Sequence, residues 1–321
     1  MATFLGIDYP TLWFLVVGAL FSGYAILDGF DFGAGAWHLF FKKEESRRIA
    51  LNAVGPVWDG NEVWLVIGGG ALFAGFPVMY ASLFSSMYIP FMLFLLFIIF
   101  RAISIEFRGK EEMKWWRRIL GIAIGENFDY EGGPFFEFLN PYALMTGITT
   151  LALFMSHGAI YLLLKTEGRL FAKLTKLLKK GMIFFMVSFG ITTLYTLLYI
   201  PHLSDDFRSN PVLFIVPLLT FLSIANVPRL ANKKKYSLAF FFSSVTISLL
   251  LVLVAIELYP TLLFSTIDYD YSINVYNAAA SDKSLGIMLL FVAIGGPLVL
   301  SYTFFVYRTF RGKVKLDDHS Y

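Results

Sequence analysis

The sequence contains no cysteine in 321 residues. A disulfide framework, a thiolate nucleophile, a cysteine-ligated zinc and an iron–sulfur cluster are therefore excluded. Histidine is scarce as well, with four residues, which limits what the chain itself can offer to a haem iron.

Charged side chains are also few, at 15% of residues where soluble domains carry about 25%. Apolar residues make up 57% of the chain, aromatic residues make up 18%, and the mean hydropathy is +0.68. Although the length would allow two soluble domains, so few charges cannot cover their surfaces. The composition therefore predicts a protein of the lipid bilayer and excludes a cytosolic enzyme, a nucleic-acid-binding protein and a secreted disulfide scaffold.

Eight stretches are apolar enough to cross ~30 Å of hydrocarbon, for which a helix needs about 20 residues. They are 10–36, 49–76, 78–105, 140–164, 181–201, 211–227, 237–259 and 284–307. Only short connections lie between them. We therefore expect an all-α, polytopic integral membrane protein with no soluble domain.

The basic residues predict the orientation, because lysine and arginine are retained on the cytoplasmic side. Of the 26 basic residues, 23 lie in five clusters, at 42–48, 108–118, 165–180, 229–235 and 308–315. The connections 201–211 and 260–283 are acidic instead. This pattern predicts an outside N-terminus and a cytoplasmic C-terminus, which requires an odd number of spans, whereas eight can be read.

The mismatch lies in one region. Segment 108–118 is basic and the acidic segment 126–137 follows, yet only 119–125 lies between them. Seven residues of helix reach ~10 Å, a third of the crossing. The sequence therefore predicts that about 20 residues of a ninth span are absent near the join of Leu120 and Gly121. The alternative is a short re-entrant turn buried in protein.

Ionisable side chains within a span are expensive and are functional candidates. The second predicted span carries Asp59, Asn61 and Glu62, and helical spacing places Asn52 and Gly55 on the same face as the two acids. Asp59 lies ten residues into this span, ~15 Å along it, so near mid-membrane. Two carboxylates one turn apart cannot both be ionised cheaply, so at least one is expected to exchange protons. The alternative is a hydrogen-bonded pair that fixes packing.

Four further polar residues give weaker signals. Asp28 is deep enough in the first span to line a polar path, whereas Asp31 is equally compatible with a solvated helix end. Arg101 is predicted to extend to the membrane interface. His157 is predicted to be a hydrogen-bonded interior histidine rather than a metal ligand.

Two motifs, LDGFDFGAG at 27–35 and WDGNEVWL at 58–65, resemble subunit II of the cytochrome bd-type quinol oxidases. Six later segments extend the resemblance along nearly the whole chain, at 68–81, 101–108, 139–147, 157–168, 275–281 and 297–313. The resemblance implies nine spans, arranged as two four-helix bundles and one peripheral helix. The first bundle would occupy 1–125, incomplete near 120–121, and the second bundle with the peripheral helix would occupy 126–321.

The resemblance also implies an activity. Such a complex lies in the bacterial cytoplasmic membrane, oxidises quinol and reduces oxygen to water with protons taken from the cytoplasm. Two b-type haems and one d-type haem are held by an obligate partner, subunit I, so this chain is expected to ligate no iron. A small single-span accessory subunit can belong to the complex.

The resemblance assigns roles to individual residues. Asp59 corresponds to the acidic residue that ends the proton path at the subunit interface, beside the haem propionates of the partner. Trp58 would lie by the same propionates, and Trp64 corresponds to the tryptophan at the mouth of the oxygen route. The residues expected to support the proton path are Asn61, Glu62 and Asp28.

Two alternatives stay open at this point. The first is a secondary transporter that binds a cation or proton between Asp59 and Glu62 at mid-membrane. The second is a purely structural subunit that stabilises a haem-bearing partner.

Overall fold

The computed structural model describes residues 2–107, 140–199, 210–263 and 269–316. Ten α-helices lie within these ranges. They are α1 (Tyr9–His38), α2 (Glu44–Val54), α3 (Trp58–Gly75), α4 (Pro77–Ser86), α5 (Tyr88–Phe107), α6 (Pro141–Lys165), α7 (Gly168–Tyr199), α8 (Ile215–Asn232), α9 (Tyr236–Leu258) and α10 (Asp282–Thr309). Two antiparallel pairs of short strands accompany them, β1 (Thr3–Phe4) with β2 (Ile7–Asp8) and β3 (Thr261–Leu263) with β4 (Ile273–Asn274). Single 3-10 turns lie at Pro211–Phe214 and Tyr269–Tyr271.

Six of the described helices are individually long and apolar enough to cross a membrane. They are α1, α6, α7, α8 with its preceding 3-10 turn, α9 and α10. Helices α3 and α4 qualify together as a seventh candidate, although a bend of 117° separates them. The predicted all-α, polytopic membrane architecture is confirmed.

The second predicted span, 49–76, is not one helix. The chain turns between α2 and α3, because Pro56 has no amide hydrogen to donate and Gly55 is a poor helix former. Helix α2 is a separate charged helix that packs its Ala53 into the core. Asp59 therefore lies in the first turn of α3 and not ten residues into a continuous helix.

The third predicted span, 78–105, is also interrupted. Helix α4 ends at Ser86 and α5 begins at Tyr88. Pro90 explains the break, since it cannot donate to the carbonyl of Ser86 and its ring clashes there. Helices α4 and α5 together cover the predicted stretch.

Helix α1 packs against helices from both halves of the chain, notably α3 and α6. Its closest approach is to α6, where a Cβ atom on Gly33 would overlap the carbonyl of Phe154. A Cβ atom on Gly158 would likewise come within 2.6 Å of the Gly33 backbone. Next to this crossing, the ring of Phe30 stacks on Tyr161 with 3.9 Å between centroids. Backbone contact without intervening side chains therefore sets the α1–α6 distance.

One end of the molecule joins the start of α1, the end of α3 and the start of α10. The indole nitrogen of Trp13 donates to the carbonyl of Ala71 at 2.8 Å. The amide of Ala280 donates to the carbonyl of Gly75, also at 2.8 Å. The β3–β4 pair lies at this same end, which is the end that the sequence assigns to the outside.

The opposite end gathers basic residues. Lys173 donates to the carbonyl of Phe40 at 2.6 Å, and the amide of Val314 donates to the carbonyl of Lys165 at 2.8 Å. These bonds join the ends of α1, α6 and α10 to the start of α7, and the ring of Tyr236 brings the start of α9 beside them. Four of the five basic clusters therefore share one end, which we call the basic end. They are 42–48, 165–180, 229–235 and 308–315.

Helix α5 ends at the basic end, whereas α6 begins at the opposite end. The fifth basic cluster and the predicted break at 120–121 lie outside the described residues. The absent ninth span and the division into 1–125 and 126–321 stay predictions.

The α1–α6 contact gives a stability prediction. Replacing Gly158→Ala forces a methyl group into the α1 backbone and should destabilise the fold by about 1–3 kcal/mol. Gly147→Ala on the same helix is the matched control, because a Cβ atom there meets nothing within 4 Å. The melting temperature of the purified complex should fall for Gly158→Ala alone. Equal melting temperatures would contradict the close contact.

Candidate functional site

Acidic side chains of α1 and α3 meet an arginine of α5 toward the basic end. Asp28 is fully buried, with 0% of its surface exposed, and lies ten residues before the end of α1. Arg101 donates from Nη1 to Asp28 Oδ1 at 2.6 Å, and its Nη2 pairs with Glu62 Oε1. One guanidinium therefore holds carboxylates from two other helices, which is how buried charges are retained in a membrane.

The surroundings of Arg101 are aromatic. Its guanidinium lies 4.7 Å from the ring centre of Phe32 and 5.7 Å from that of Trp58, a residue only 5% exposed. The prediction that Arg101 extends to the membrane interface is wrong. Its guanidinium forms ion pairs with two carboxylates and lies beside two aromatic rings inside the helix bundle. Trp58 packs within this chain.

A second carboxylate of α1 is held by an amide. Asn61 is 1% exposed, and its Nδ2 donates to Asp31 Oδ2 at 2.7 Å and to the carbonyl of Leu27 at 3.1 Å. Its Oδ1 accepts from the hydroxyl of Tyr307 at 2.8 Å. Asp31 is 5% exposed, so the alternative of a solvated helix end is wrong. Asp31 Oδ1 and Asp28 Oδ2 have no hydrogen-bond partner within the described part of the chain.

These side chains form one unit, which we call the acid–arginine cluster. Its members are Asp28, Asp31, Asn61, Glu62, Arg101 and Tyr307. Three carboxylates share a single cation in a low-dielectric interior, so they cannot all be ionised cheaply. The cluster therefore has the chemistry needed to hold a proton and pass it on.

Asp59 lies outside this cluster. Its side chain is exposed on the outer side of the first turn of α3, where the helix N-terminus favours a negative charge. The neighbouring Gly60 faces the ring of Tyr302 on α10. The predicted stripe that joined Asn52 to Glu62 is wrong, because Asn52 belongs to α2 and only Glu62 turns inward.

Trp64 lies in the seam between α1 and α3. Its ring packs directly against Gly23 of α1, so that a Cβ atom on this glycine would overlap it. The indole nitrogen is buried and donates to no atom of the described residues. Trp64 is therefore part of an apolar helix–helix contact one turn away from the acid–arginine cluster.

His157 has the interior position that the sequence predicts. It is 0% exposed, its Nδ1 lies 2.9 Å from Ser243 Oγ, and its Nε2 lies 3.1 Å from the carbonyl of Ile26. Both ring nitrogens are engaged, so this histidine does not fit the role of a haem iron ligand. The described residues hold no group of three or more potential metal ligands.

Three members of the cluster were not among the predicted site residues, namely Asp31, Arg101 and Tyr307. Arg101 carried a usable signal, because it is the only basic residue between the first two basic clusters and has acids in neighbouring spans. Tyr307 carried none, since it lies 246 residues from Asn61 in the chain.

The fold and this cluster define a polytopic helical membrane protein with a largely buried, charge-paired polar site. A sequence profile of the family described as cytochrome bd terminal oxidase subunit II matches residues 9–127 and 119–310. The chain belongs to this family, which confirms the resemblance drawn from the motifs.

Individual relatives agree with this membership. The chain is 28% identical to cytochrome bd-I ubiquinol oxidase subunit 2 of Escherichia coli (strain K12), with 97% of each chain covered. It is 31% identical to cytochrome bd ubiquinol oxidase subunit 2 of Bacillus subtilis (strain 168), with 94% of this chain and 96% of the relative covered. The bd oxidase structure from Geobacillus thermodenitrificans has a similar fold, with a TM-score of 0.75 at 17% identity, covering 94% of this chain and 98% of that chain.

The alignment lengths bear on the predicted missing span. The Escherichia coli comparison extends over 369 positions and the Bacillus subtilis comparison over 331, both more than the 321 residues of this chain. These relatives therefore have segments without a counterpart here. The two family matches meet at 119–127, where the sequence predicts the missing residues.

The ion pairs of Arg101 give the second prediction. Arg101→Gln leaves Asp28 and Glu62 in the interior without their cation, and removing one partner of a buried pair destabilises by about 3–5 kcal/mol. We expect a lower melting temperature and a lower yield of the purified complex.

Two controls accompany this variant. The exposed Arg311→Gln should behave as wild type, and adding Asp28→Asn to Arg101→Gln should restore part of the lost stability. A melting temperature of Arg101→Gln equal to that of wild type would show that the ion pairs of Arg101 do not stabilise the protein.

Proposed function

We propose that this chain, as subunit II of a cytochrome bd-type quinol oxidase, brings protons from the cytoplasm to a haem-bearing partner. The reduction of oxygen to water consumes protons, and a route for them needs titratable groups in the membrane. The acid–arginine cluster is such a group of side chains. The observation that carries the proposal is the complete burial of Asp28 in an ion pair with Arg101.

The route begins at the basic end and crosses from α1 to α3. Asp28 and Asp31 lie on α1, and each keeps one carboxylate oxygen outside any hydrogen bond of the described chain. Glu62 follows on α3 and shares the guanidinium with Asp28. Asp59 lies one turn before Glu62 and faces outward, so it is the exit of this route toward the partner.

The haems and the quinol site belong to subunit I in this proposal. The engaged ring nitrogens of His157 support this assignment. The haems, two b-type and one d-type, would supply the electron-transfer and oxygen-binding chemistry, and this chain would hold none of them. The exposed carboxylate of Asp59 and the nearby surface of α10 around Tyr302 would face the partner. Trp58 would act indirectly, by holding Arg101 in position.

Oxygen needs no polar route, because it is small and apolar. The α1–α3 seam that contains Trp64 and Gly23 is apolar and closely packed, so we propose that oxygen passes beside it.

Protons from the cytoplasmic side make the reaction electrogenic without pumping, since each charge moved across 100 mV is worth about 2.3 kcal/mol.

The transporter alternative is not favoured. It required Asp59 and Glu62 to share one binding site at mid-membrane. Glu62 instead pairs with Arg101, and Asp59 faces outward in the first turn of α3. The family match over most of the chain also favours the oxidase.

Proton delivery predicts the phenotype of Asp59. Asp59→Asn should lower quinol-driven oxygen consumption by the purified complex at least about tenfold, because a positioned proton donor contributes at least that much. Asp59→Glu should restore much of the rate. Glu45→Gln, which removes an exposed acid at the same end, should leave the rate unchanged.

The structural-subunit alternative predicts a different result. If Asp59→Asn and Glu62→Gln both assemble normally and consume oxygen at the wild-type rate, the proton-delivery route through α3 is contradicted and the scaffold alternative is favoured.

The orientation gives a further prediction. Because the chain contains no cysteine, an introduced cysteine is the only thiol of this subunit that can be labelled. Lys283 lies at the start of α10. A cysteine introduced there (Lys283→Cys) should react with a membrane-impermeant maleimide in intact cells. Lys315→Cys lies at the basic end and should react only after the membrane is permeabilised. The reverse pattern would place the basic end outside and contradict proton entry from the cytoplasm.

A further inference from the structure

A cavity of about 170 Å³ opens between α7 and α8 toward the basic end. Its wall on α7 consists of Thr175, Leu178, Lys179, Met182, Ile183 and Met186. The spacings of three and four residues place these side chains on one face of the helix. Pro228, Ala231 and Asn232 of α8 form the facing wall, and Tyr236 of α9 closes the end.

The lining changes character along its length. Thr175, Lys179 and Asn232 give polar groups at the end nearest the basic clusters, whereas Ile183 and Met186 make the deep end apolar. The α7 wall runs from Thr175 to Met186, a rise of ~16 Å along the helix. This length matches one leaflet, about half of the ~30 Å hydrocarbon core.

The size and position of the cavity limit what can occupy it. A helix is ~10 Å across and does not fit in this volume. The apolar deep end offers water too few partners. The side chains of Ile183 and Met186 are 50% and 39% exposed, so the cavity is accessible from the surrounding hydrocarbon. A single flexible hydrocarbon chain with a polar group at one end fits these limits.

The positive charge around the basic end of the cavity determines which polar headgroup it can bind. Segments 175–186 and 228–236 contain seven basic residues and no acidic residue. Lys179 is exposed and forms no ion pair with any described residue. Basic pockets between membrane helices attract anionic lipid headgroups.

We propose that this cavity binds an anionic phospholipid of the cytoplasmic leaflet. One acyl chain lies along α7 over Met182 and Met186, and the headgroup phosphate is held by the ammonium of Lys179 and the amide of Asn232. The leaflet follows from the orientation given under the proposed function, whereas the choice of an anionic lipid follows from the charge alone. The cavity shares no residue with the acid–arginine cluster, so a negative result for lipid binding leaves the proton-delivery proposal unaffected, and the reverse also holds.

Native mass spectrometry of the delipidated complex, with its partner subunit, tests this site. The probes are phosphatidylglycerol and phosphatidylcholine, added separately at equal concentration. The wild-type complex should retain more phosphatidylglycerol. Lys179→Gln should reduce this preference about fivefold, as expected for one lysine at a membrane surface. Lys42→Gln, an exposed basic-end lysine outside the cavity, should keep the wild-type preference.

A second variant tests the acyl-chain part of the cavity. Ala231→Trp fills the space between α7 and α8 and should remove one retained phospholipid of either kind. Two results would overturn the proposal. One is a Lys179→Gln complex with the wild-type preference, and the other is a quinone rather than a phospholipid recovered from the wild type and lost in Ala231→Trp.

Discussion

A charge inside a membrane needs a partner, and in this chain one guanidinium supplies it for two carboxylates. Arg101 of α5 reaches Asp28 of α1 and Glu62 of α3, so three helices are fixed relative to one another by a single side chain. The penalty for separating such charges is several kcal/mol, which makes other helix arrangements unfavourable. The same constraint orients α3, so that Asn61 turns toward Asp31 and Asp59 turns away from the helix bundle.

Much of this fold follows from apolar length. The bounds of α1, α6, α9 and α10 lie within two residues of the predicted spans, because a helix must match the hydrocarbon thickness. The prediction failed where a single atom decides the outcome. Hydropathy does not reflect that Pro56 lacks an amide hydrogen, so the hydropathy pattern did not predict the break between α2 and α3. The partners of Arg101, 73 and 39 residues away in the chain, follow only from tertiary packing.

The first turn of α3 presents polar side chains on two faces. Inward, Asn61 and Glu62 belong to a polar network that is largely buried and charge-paired. Outward, Asp59 offers a carboxylate to whatever packs against α3 and α10. The sequence motifs placed these residues in one group but could not divide them between interior and surface. Under the proposed function, this division places the proton supply of this chain beside the haem chemistry of its partner.

The central claim is that these carboxylates gain and lose protons as the enzyme turns over. Infrared difference spectroscopy of the complex, recorded between its oxidised and reduced states, observes such groups directly through the carbonyl stretch of a protonated carboxyl. The account predicts a carboxyl band that shifts in heavy water and disappears in at least one of Asp28→Asn, Asp59→Asn and Glu62→Gln. A spectrum unchanged in all three variants would contradict it.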